Sequence, residues 1–372
     1  MIKKDITVVD KNFDTGFLMP EDVQWFDVNQ EPFSIHGVTY SNEEGLYRRL
    51  SKDVADATNQ GVSELSLQSA GGRIRFMTDS PYIILRIEEP FWPPFSHMPM
   101  LTQYGTSIFV NGAFEGAVMP SYYQVVDADP SRGGDGKIVF GGIKYPYGLS
   151  GELYQVEIFL PLYGSVSSVF VGLKDNSQVK APKPYKHEQP VLFYGSSITQ
   201  GGCASKPGDD YISRLSRMLD TDFINLGFSG SARAEDVIVD YIASQNPSVF
   251  VMDYDHNAPD AEHLKKTHYT LYEKIRKEHS TTPIIMMTMP TIEGYESRPL
   301  QKCRKDEILK SYNRAIENGD ENVYLVDCYG CFGAYKTGEC GTVDGSHPDS
   351  LGFLRMAERM YPVLDKILNH HK

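Results

Sequence analysis

The chain has 372 residues, 41% hydrophobic and 23% charged, which is typical of a globular protein long enough for about two domains. Its formal net charge is -13, and its acidic and basic residues are mixed, which argues against a nucleic-acid partner because such a partner needs basic patches. No stretch reaches the ~18 apolar residues of a membrane span, so a membrane partner is not expected. Residues 1–10 lack the apolar core of a signal peptide, and we expect a cytoplasmic protein.

The first half of the sequence has the pattern of short strands. Seven segments have the pattern of short strands, many with alternating apolar and polar residues, and clusters of Gly, Pro, Asn or Asp separate them: ELSLQSA, GRIRFMT, YIILRIEE, SIFVNGAF, KIVFGGI, YQVEIFLPL and SSVFVGL. Helical periodicity is nearly absent, apart from a short helix expected in NEEGLYRRLSKD. This pattern predicts an antiparallel β-sandwich over residues 1–180. The aromatic, proline-rich segment FWPPFSHMPM, residues 91–100, is interpreted as a packed loop, with a sugar-stacking platform as the alternative.

The second half alternates apolar strands with amphipathic helices. It follows a Lys- and Pro-rich segment, in which we place a linker at residues 181–189. Five strands are predicted, in PVLFYG, DFINLGF, SVFVMDYD, PIIMMTMP and NVYLVDCYG, and a last helix over residues 351–368. Near-continuous apolar strands are typical of a parallel sheet that is buried on both faces. Residues 190–372 are therefore predicted to form a doubly wound α/β domain with a five-stranded parallel sheet.

The first of these strands leads directly into two serines, in VLFYGSSITQGG. Serine pairs usually cap helices or form turns, but a serine at the carboxyl end of a parallel strand lies where α/β sheets bind ligands. We therefore interpret Ser197 as a nucleophile and Ser196 as a structural residue. A serine nucleophile needs a histidine base that a third group orients. His347 is the best placed, because it follows the last strand and Asp344 lies three residues before it; His256 is a less favoured alternative.

Two other predicted strand ends carry donors for an oxyanion. Gly227, in NLGFSG, lets a backbone N–H approach a ligand closely, and Asn257, in DYDHN, can donate from its side-chain amide. Such a site needs no metal and no organic cofactor. The remaining candidate ligands, Cys328, Cys331 and Cys340, lack the partners that a zinc site requires and are interpreted as ordinary loop thiols.

The four segments GSSIT, NLGFSG, DHN and DGSH together resemble the SGNH (GDSL-type) hydrolase superfamily. The competing GxSxG elbow of α/β-hydrolases is not matched, because Thr199 occupies its last position. In the first half, GTSIFVNG and FLPLYGSV resemble the sandwich domain that precedes the catalytic domain in one subgroup. That domain is recognised by a Gly-x-Asp-Leu-Tyr string, and here Ser107 and Phe109 replace its Asp and Tyr. The resemblance implies a flavodoxin-like three-layer α/β/α hydrolase domain after a jelly-roll-like sandwich.

The resemblance also implies a serine esterase. Ser197 would be the nucleophile, His347 the base and Asp344 the orienting carboxylate, and the oxyanion hole would comprise the Ser197 and Gly227 N–H groups and the Asn257 side chain. The expected substrate is a small acyl ester, with acetyl on a carbohydrate as the best single candidate. Acyl transfer to an alcohol or amine is an alternative, and a carbohydrate-binding protein with a vestigial hydrolase domain is another. The oligomeric state is left open.

Overall fold

A computed structural model describes residues 20–146, 151–294, 298–334, 338 and 340–370. The stretch that we analysed for a signal peptide, residues 1–10, lies outside the described residues. In the described part, the first half of the chain contains two large antiparallel sheets and a separate two-stranded one, and the second half contains a five-stranded parallel sheet with helices on both faces. The predicted fold class, a β-sandwich followed by a flavodoxin-like three-layer α/β/α domain, is confirmed.

The first half is built from short strands. Their bounds are β1 Val23–Asp27, β2 Ser34–His36, β3 Thr39–Ser41, β4 Leu46–Arg48, β5 Arg73–Thr78, β6 Ile83–Pro90, β7 Thr106–Val110, β8 Ala113–Val118, β9 Lys137–Lys144, β10 Tyr154–Phe159, β11 Ser168–Lys174 and β12 Val179–Lys180. One sheet has the order β1-β11-β6-β9, and the other has the order β12-β5-β10-β7-β8 with β2 beside β5. A tight turn joins β7 to β8, because Asn111 and Gly112 both adopt positive φ, as the Asn-Gly pair of a hairpin does.

Among the described residues of this half, four α-helices interrupt the strand pattern: α1 Lys52–Thr58, α2 Gln60–Leu65, α3 Met100–Tyr104 and α4 Tyr122–Ala128. Two sequence-based expectations were wrong here. The segment NEEGLYRRLSKD is mostly not helical, because Gly45 has a φ of 66° and β4 follows it. The segment ELSLQSA begins as the end of α2 rather than as a strand, since Asn59 caps this helix by accepting from the Val62 N–H at 2.9 Å.

The second half has the predicted strand–helix alternation. The strands are β13 His187–Gly195, β14 Thr221–Gly227, β15 Val249–Asp253, β16 Ile284–Met287 and β17 Val323–Val326. The helices are α5 Ser197–Gln200, α6 Tyr211–Leu219, α7 Asp236–Ser244, α8 Ala261–Glu278, α9 Pro299–Glu317 and α10 Ser350–His370. The strand order β14-β13-β15-β16-β17 reverses direction at β13, and ligands of open α/β sheets bind at such a switch point.

The parallel register aligns the carboxyl ends of three strands. Gly195 at the end of β13 pairs with Gly227 of β14 on one side and with Asp253 of β15 on the other. The loops that follow these three strands therefore begin at the same level of one sheet edge. This edge receives the segments that carry Ser197, Gly227 and Asn257.

Both faces of the parallel sheet are covered by apolar cores. Helices α6 and α10 pack on one face, and α7, α8 and α9 pack on the other. The first half of the chain contributes buried side chains to both cores: Ala70, Met98, Phe109, Phe159, Leu162 and Tyr163 on one face, and Leu50, Ala55 and Val62 on the other. The two halves therefore share these two cores, whereas a third apolar core lies within the first half alone. Among the described helices, none combines the length and apolar composition that crossing a bilayer requires.

Candidate active site

The candidate nucleophile lies where β13 turns into the short helix α5. Ser196 is the N-cap of this helix, and its hydroxyl accepts from the Ile198 N–H at 3.1 Å. Ser197 is the first helical residue, so its N–H has no carbonyl partner within the helix. The turn leaves no room for a side chain at Gly195, since a Cβ there would lie 2.0 Å from the Thr199 hydroxyl. The sequence therefore folds so that one serine caps the helix and the next faces the sheet edge.

Ser197, His347 and Asp344 form a continuous hydrogen-bonded series. The Ser197 Oγ lies 3.0 Å from His347 Nε2, and His347 Nδ1 lies 2.7 Å from Asp344 Oδ2. The other carboxylate oxygen of Asp344 accepts from the His347 and Ser346 N–H groups at 2.7 and 2.9 Å. A single turn therefore positions both the carboxylate and the imidazole, as their three-residue spacing predicted.

The charge state of Asp344 determines which imidazole nitrogen carries the proton. Partial burial raises the pKa of Asp344, but the hydrogen bonds from the His347 and Ser346 backbone and from the His347 ring outweigh this effect and lower the pKa to about 2. The carboxylate is therefore ionised at neutral pH and can only accept. His347 Nδ1 must be the donor, which leaves the Nε2 lone pair facing the Ser197 hydroxyl. This arrangement can remove a proton from the serine.

The residues expected to bind an oxyanion differ in how free their donors are. Asn257 donates one side-chain N–H to the Phe228 carbonyl at 2.7 Å and keeps a second one. The N–H of Gly227 already donates to Asn225 Oδ1 at 2.8 Å. In the structure, Gly227 instead permits close packing, because a Cβ there would lie 2.2 Å from the Gln200 nitrogen of α5. The expected donor role of Gly227 therefore does not fit the observed bonding.

Gly230, which the sequence analysis did not select, has the free donor in the same loop. Its φ is 69°, it is exposed, and its N–H has no acceptor among the described residues. The loop touches α5 one residue earlier, where the Ser229 N–H donates to Gln200 Oε1 at 3.1 Å. The final glycine of NLGFSG could have indicated this donor from the sequence, since glycine is the usual residue at a positive φ.

Two family profiles match the sequence in tandem. The profile described as the GDSL-like Lipase/Acylhydrolase family matches residues 188–365. The profile GxDLY, described as the N-terminus of SGNH hydrolase-type esterases, matches residues 23–179, although Ser107 and Phe109 replace the Asp and Tyr of its name. The chain belongs to the SGNH, or GDSL-like, hydrolase superfamily. Membership of this SGNH superfamily supports an esterase or acylhydrolase activity.

Many solved structures resemble this SGNH hydrolase along most of its length. A Bacteroides ovatus protein described as a GDSL-like lipase is 25% identical, covers 93% of this chain and 98% of its own, and has a TM-score of 0.79. A salicylyl-acyltransferase from a tetracycline biosynthetic pathway is 16% identical, with 95% and 99% covered and a TM-score of 0.73. An acetyl xylan esterase from Butyrivibrio proteoclasticus is 14% identical, with 94% and 100% covered and a TM-score of 0.56. No curated protein matches the sequence.

The sandwich half of this SGNH hydrolase reaches the candidate active site through residues 91–100. The ring of His97 lies 5.6 Å from the His347 ring, centre to centre. Phe95 lies against His97 and Tyr163, with ring centres 6.1 and 5.6 Å apart. The Gln103 side chain holds this loop in place, because it accepts from the Phe95 N–H at 2.6 Å and donates to the Phe95 carbonyl at 3.1 Å. We interpreted this segment as a packed loop, but only Met98 within it is buried. Phe95 and His97 are exposed, and they border the crevice that contains Ser197 and His347.

Arg49 connects the sandwich half to the loop that follows β14. Its guanidinium donates to the carbonyls of Gly227 and Asn225 at 2.5 and 3.2 Å and lies over the Phe228 ring. Burial lowers the pKa of Arg49 to about 9, and the charge is compensated by four backbone carbonyls rather than by a carboxylate. Sequence reasoning missed this residue, because nothing in its local pattern points to a partner almost 180 positions away.

A buried carboxyl group, that of Asp253, lies under α5. Asp253, at the end of β15, accepts from the Thr199 and Tyr211 hydroxyls, both at 2.8 Å. Burial, assisted by the neighbouring charge of Asp255, raises the pKa of Asp253 to about 7. Because Thr199 belongs to α5, this network holds the helix that begins with Ser197 against the sheet.

A cavity of about 430 Å³ lies beside the turn that carries Asp344 and His347. It is lined by His256, Met289, Pro290, Thr291, Arg298, Gln301, Asp344, Gly345 and Ser346. His256, the alternative base, lies in this cavity wall, and burial, with the charges of Arg304 and His347, lowers its pKa to about 3. It makes no hydrogen bond to Ser197 among the described residues, so the geometry favours His347.

The candidate ligands named from the sequence, Cys328, Cys331 and Cys340, do not form a metal-ligand set among the described residues. Cys328 and Cys331 are buried and hydrogen-bonded to each other, whereas Cys340 is exposed. The thiol pair is too far from further imidazoles or carboxylates to complete a site in the described part of the chain.

Proposed function

We propose that this chain is a serine esterase that removes small acyl groups, with acetyl on a carbohydrate as the substrate. The observation that carries the proposal is the Ser197–His347–Asp344 series, with its 3.0 and 2.7 Å links, at the carboxyl end of the central strand. The structural neighbours include a family two carbohydrate esterase from Clostridium thermocellum in complex with cellohexaose and an acetyl xylan esterase, which supports this substrate class.

In the proposed mechanism, His347 Nε2 takes the Ser197 proton as the hydroxyl oxygen attacks the ester carbonyl carbon. The oxyanion that forms accepts from the Ser197 N–H and from the free side-chain N–H of Asn257, with Gly230 in the place first given to Gly227. The imidazolium, stabilised by Asp344, then protonates the leaving alcohol. Water, deprotonated by His347, attacks the resulting acyl-enzyme and releases the acid.

Acyl transfer is the second candidate function. The salicylyl-acyltransferase neighbour has a TM-score of 0.73 over 95% of this chain, which is higher than the value of the acetyl xylan esterase. The chemistry up to the acyl-enzyme would be the same in both functions. Only the acceptor differs, an alcohol or amine in place of water.

A vestigial, carbohydrate-binding role is less favoured. A protein that had lost catalysis would have no need to keep a serine, an imidazole and an ionised carboxylate in hydrogen-bonded order. The observed series argues for chemistry in addition to binding.

The test is to screen acetylated oligosaccharides for released acetate, with 4-nitrophenyl acetate as a small reference ester. The acyl-enzyme should appear by mass spectrometry of the rapidly quenched protein as an acetyl adduct on the peptide that contains Ser197. Adding glycerol or an amine in the same assay separates hydrolysis from transfer. An absence of any acyl adduct and of acetate release with all these esters would overturn the proposal.

A further inference from the structure

A second set of side chains surrounds the same histidine that faces Ser197. His97, Cys203 and His347 each offer one metal-ligating atom, and these three atoms lie within 4.8 Å of one another. The available atom of His347 is Nε2, because Nδ1 is bonded to Asp344 at 2.7 Å. The three residues come from different segments: His97 from the sandwich half, Cys203 from the turn after α5, and His347 from the turn that also carries Asp344.

The donor set has the chemistry of a zinc site. Zinc prefers imidazole nitrogen and thiolate sulfur in a tetrahedron, in which neighbouring ligand atoms lie roughly 3.3–3.8 Å apart. The observed separations can contract to this range if the exposed His97 ring turns, since the buried thiol of Cys203 has little freedom. Three protein ligands leave the fourth position open to water.

The surroundings also suit a metal ion. Asp344 holds the far nitrogen of His347, and such a carboxylate–imidazole pair orients zinc ligands and strengthens them. Zinc with one thiolate carries a single positive charge, which the Asp344 carboxylate can balance. Cys203 has a φ of 71°, uncommon for a residue with a side chain, and its thiol is directed at the His97 carbonyl at 3.7 Å. The next carbonyl, of Ala204, accepts from the Thr102 hydroxyl, which fixes this turn to the sandwich half.

We propose that His97, Cys203 and His347 form an inhibitory zinc site that closes the active site. When zinc binds, the Cys203 thiol releases its proton to solvent and a sulfur–zinc bond forms. His347 Nε2 gives its lone pair to zinc, so the same lone pair can no longer accept the Ser197 proton. Zinc binding and general-base catalysis are therefore mutually exclusive.

The test uses the full chain, treated with EDTA and transferred to chelator-free buffer. Zinc at buffered free concentrations is added while hydrolysis of 4-nitrophenyl acetate is followed, and binding is measured separately by calorimetry. His97→Ala and Cys203→Ser are compared with Cys303→Ser, which removes an exposed thiol on α9. Each inhibition curve is normalised to the uninhibited rate of the same variant.

We expect zinc to inhibit the wild type and the Cys303→Ser control equally. The zinc concentration for half-inhibition should rise at least tenfold in His97→Ala and in Cys203→Ser. Cobalt(II), used as a probe, should give a sulfur-to-metal absorption band that Cys203→Ser abolishes and Cys303→Ser retains. Magnesium at the same concentrations should have no effect, because it prefers oxygen ligands.

Equal zinc affinity in the wild type, His97→Ala and Cys203→Ser would overturn the inference. Only the inhibition readout rests on the proposed esterase function. If no ester were hydrolysed, calorimetry and the cobalt band would still decide whether the site binds metal. Should Cys203→Ser fail to fold, His97→Ala alone gives the same comparison, since this side chain lies on an exposed loop position.

Discussion

Ser196 and Ser197 are neighbours in the chain, but their hydroxyls have different partners. The Ser196 hydroxyl accepts from a backbone N–H and caps α5, whereas the Ser197 hydroxyl faces an imidazole. The same residue type therefore supports structure at one position and is suited to chemistry at the next. Substituting the two serines separately tests this difference.

Ser197→Ala should reduce ester hydrolysis to the background rate without changing the melting temperature by more than a degree or two. Ser196→Ala should keep most of its activity and lose about 0.5–2 kcal/mol of stability, the usual cost of a lost N-cap. Steady-state rates and thermal unfolding of both variants provide the measurement. Comparable turnover by Ser197→Ala and the wild type would exclude Ser197 as the nucleophile.

Asn257→Ala should lower kcat by about 10²–10³, the typical effect of losing one oxyanion donor. KM should change much less, because the bond strengthens only as negative charge develops on the substrate oxygen. Since Asn257 also bonds the Phe228 carbonyl, the melting temperature of the variant serves as a control for loop damage. An effect on KM alone would contradict the role.

Asp253 should make stability depend on pH. Its pKa of about 7 in the folded chain lies above the value of about 3.9 for a free Asp, so the folded state holds an extra proton between these values. The free energy of unfolding should therefore fall as pH rises from about 4 to 7, by up to ~1.4 kcal/mol per pH unit. Asp255, whose pKa burial raises to about 6, contributes in the same direction.

Asp253→Asn should reduce this slope, because the amide oxygen can still accept from Thr199 and Tyr211 but does not titrate. Asp240→Asn, at an exposed carboxyl on α7, is the matched control and should leave the slope unchanged. Urea unfolding at several pH values measures both. An identical slope in Asp253→Asn and the wild type would show that Asp253 is ionised in the folded protein throughout this range.

At the scale of elements, the position of α5 depends on its contact with the end of β14. A Cβ at Gly227 would lie 2.2 Å from the Gln200 nitrogen and 2.6 Å from the Thr199 carbonyl carbon, and both are backbone atoms. Neither can move without moving the helix that begins with Ser197. A methyl group at the end of β14 is therefore expected to displace Ser197 at the start of α5.

Gly227→Ala should lower both the melting temperature and kcat, the latter at least tenfold. Gly112→Ala is the control: its φ of 82° makes alanine unfavourable, but nothing lies within 4 Å of the new Cβ and the turn is distant from Ser197. It should lose stability only, by roughly 1 kcal/mol. If Gly227→Ala kept full kcat, α5 would not depend on this contact.

Regular elements and their order could be predicted from the sequence, because periodicity and turn residues are local signals. The spacing of Asp344 and His347 was equally local. The approach of His97 to His347 could not be predicted, because it depends on tertiary packing. The bond from the Gly227 N–H to the Asn225 side chain spans only two residues, but the Asn225 amide also donates to the distant Thr199 carbonyl, which no local pattern shows. A helix pair in the first half was also missed, since its apolar residues face a core made by the second half.

At the scale of the whole molecule, the two halves are joined by buried charge as well as by apolar packing. Arg73, on β5, is buried and bonds Asp222 of β14, whose other oxygen lies 3.0 Å from His36. The two halves also share the apolar cores on the two faces of the parallel sheet. Cutting the chain near residue 187 would expose these surfaces, so any role of the sandwich in substrate access has to be tested in the intact protein.

Phe95→Ala should raise KM for an acetylated oligosaccharide several-fold and leave KM for 4-nitrophenyl acetate nearly unchanged. The reason is that Phe95 borders the crevice and is 41% exposed, so it can contact the alcohol portion of a large ester but not a small one. Tyr122→Ala removes another exposed ring of the sandwich half and should affect neither KM. Equal changes with both esters would argue against an access role for residues 91–100.

The apolar surface of α1 and α2 has a consequence for how the protein is made. Leu50, Ala55 and Val62 belong to a core whose other members lie between residues 192 and 323. Translation proceeds at about 5–20 residues per second, so these side chains leave the ribosome roughly 10–50 s before their last packing partners. During that interval the nascent chain presents a helix pair with an uncovered apolar face. We expect this segment to be the one that molecular chaperones hold until synthesis is complete.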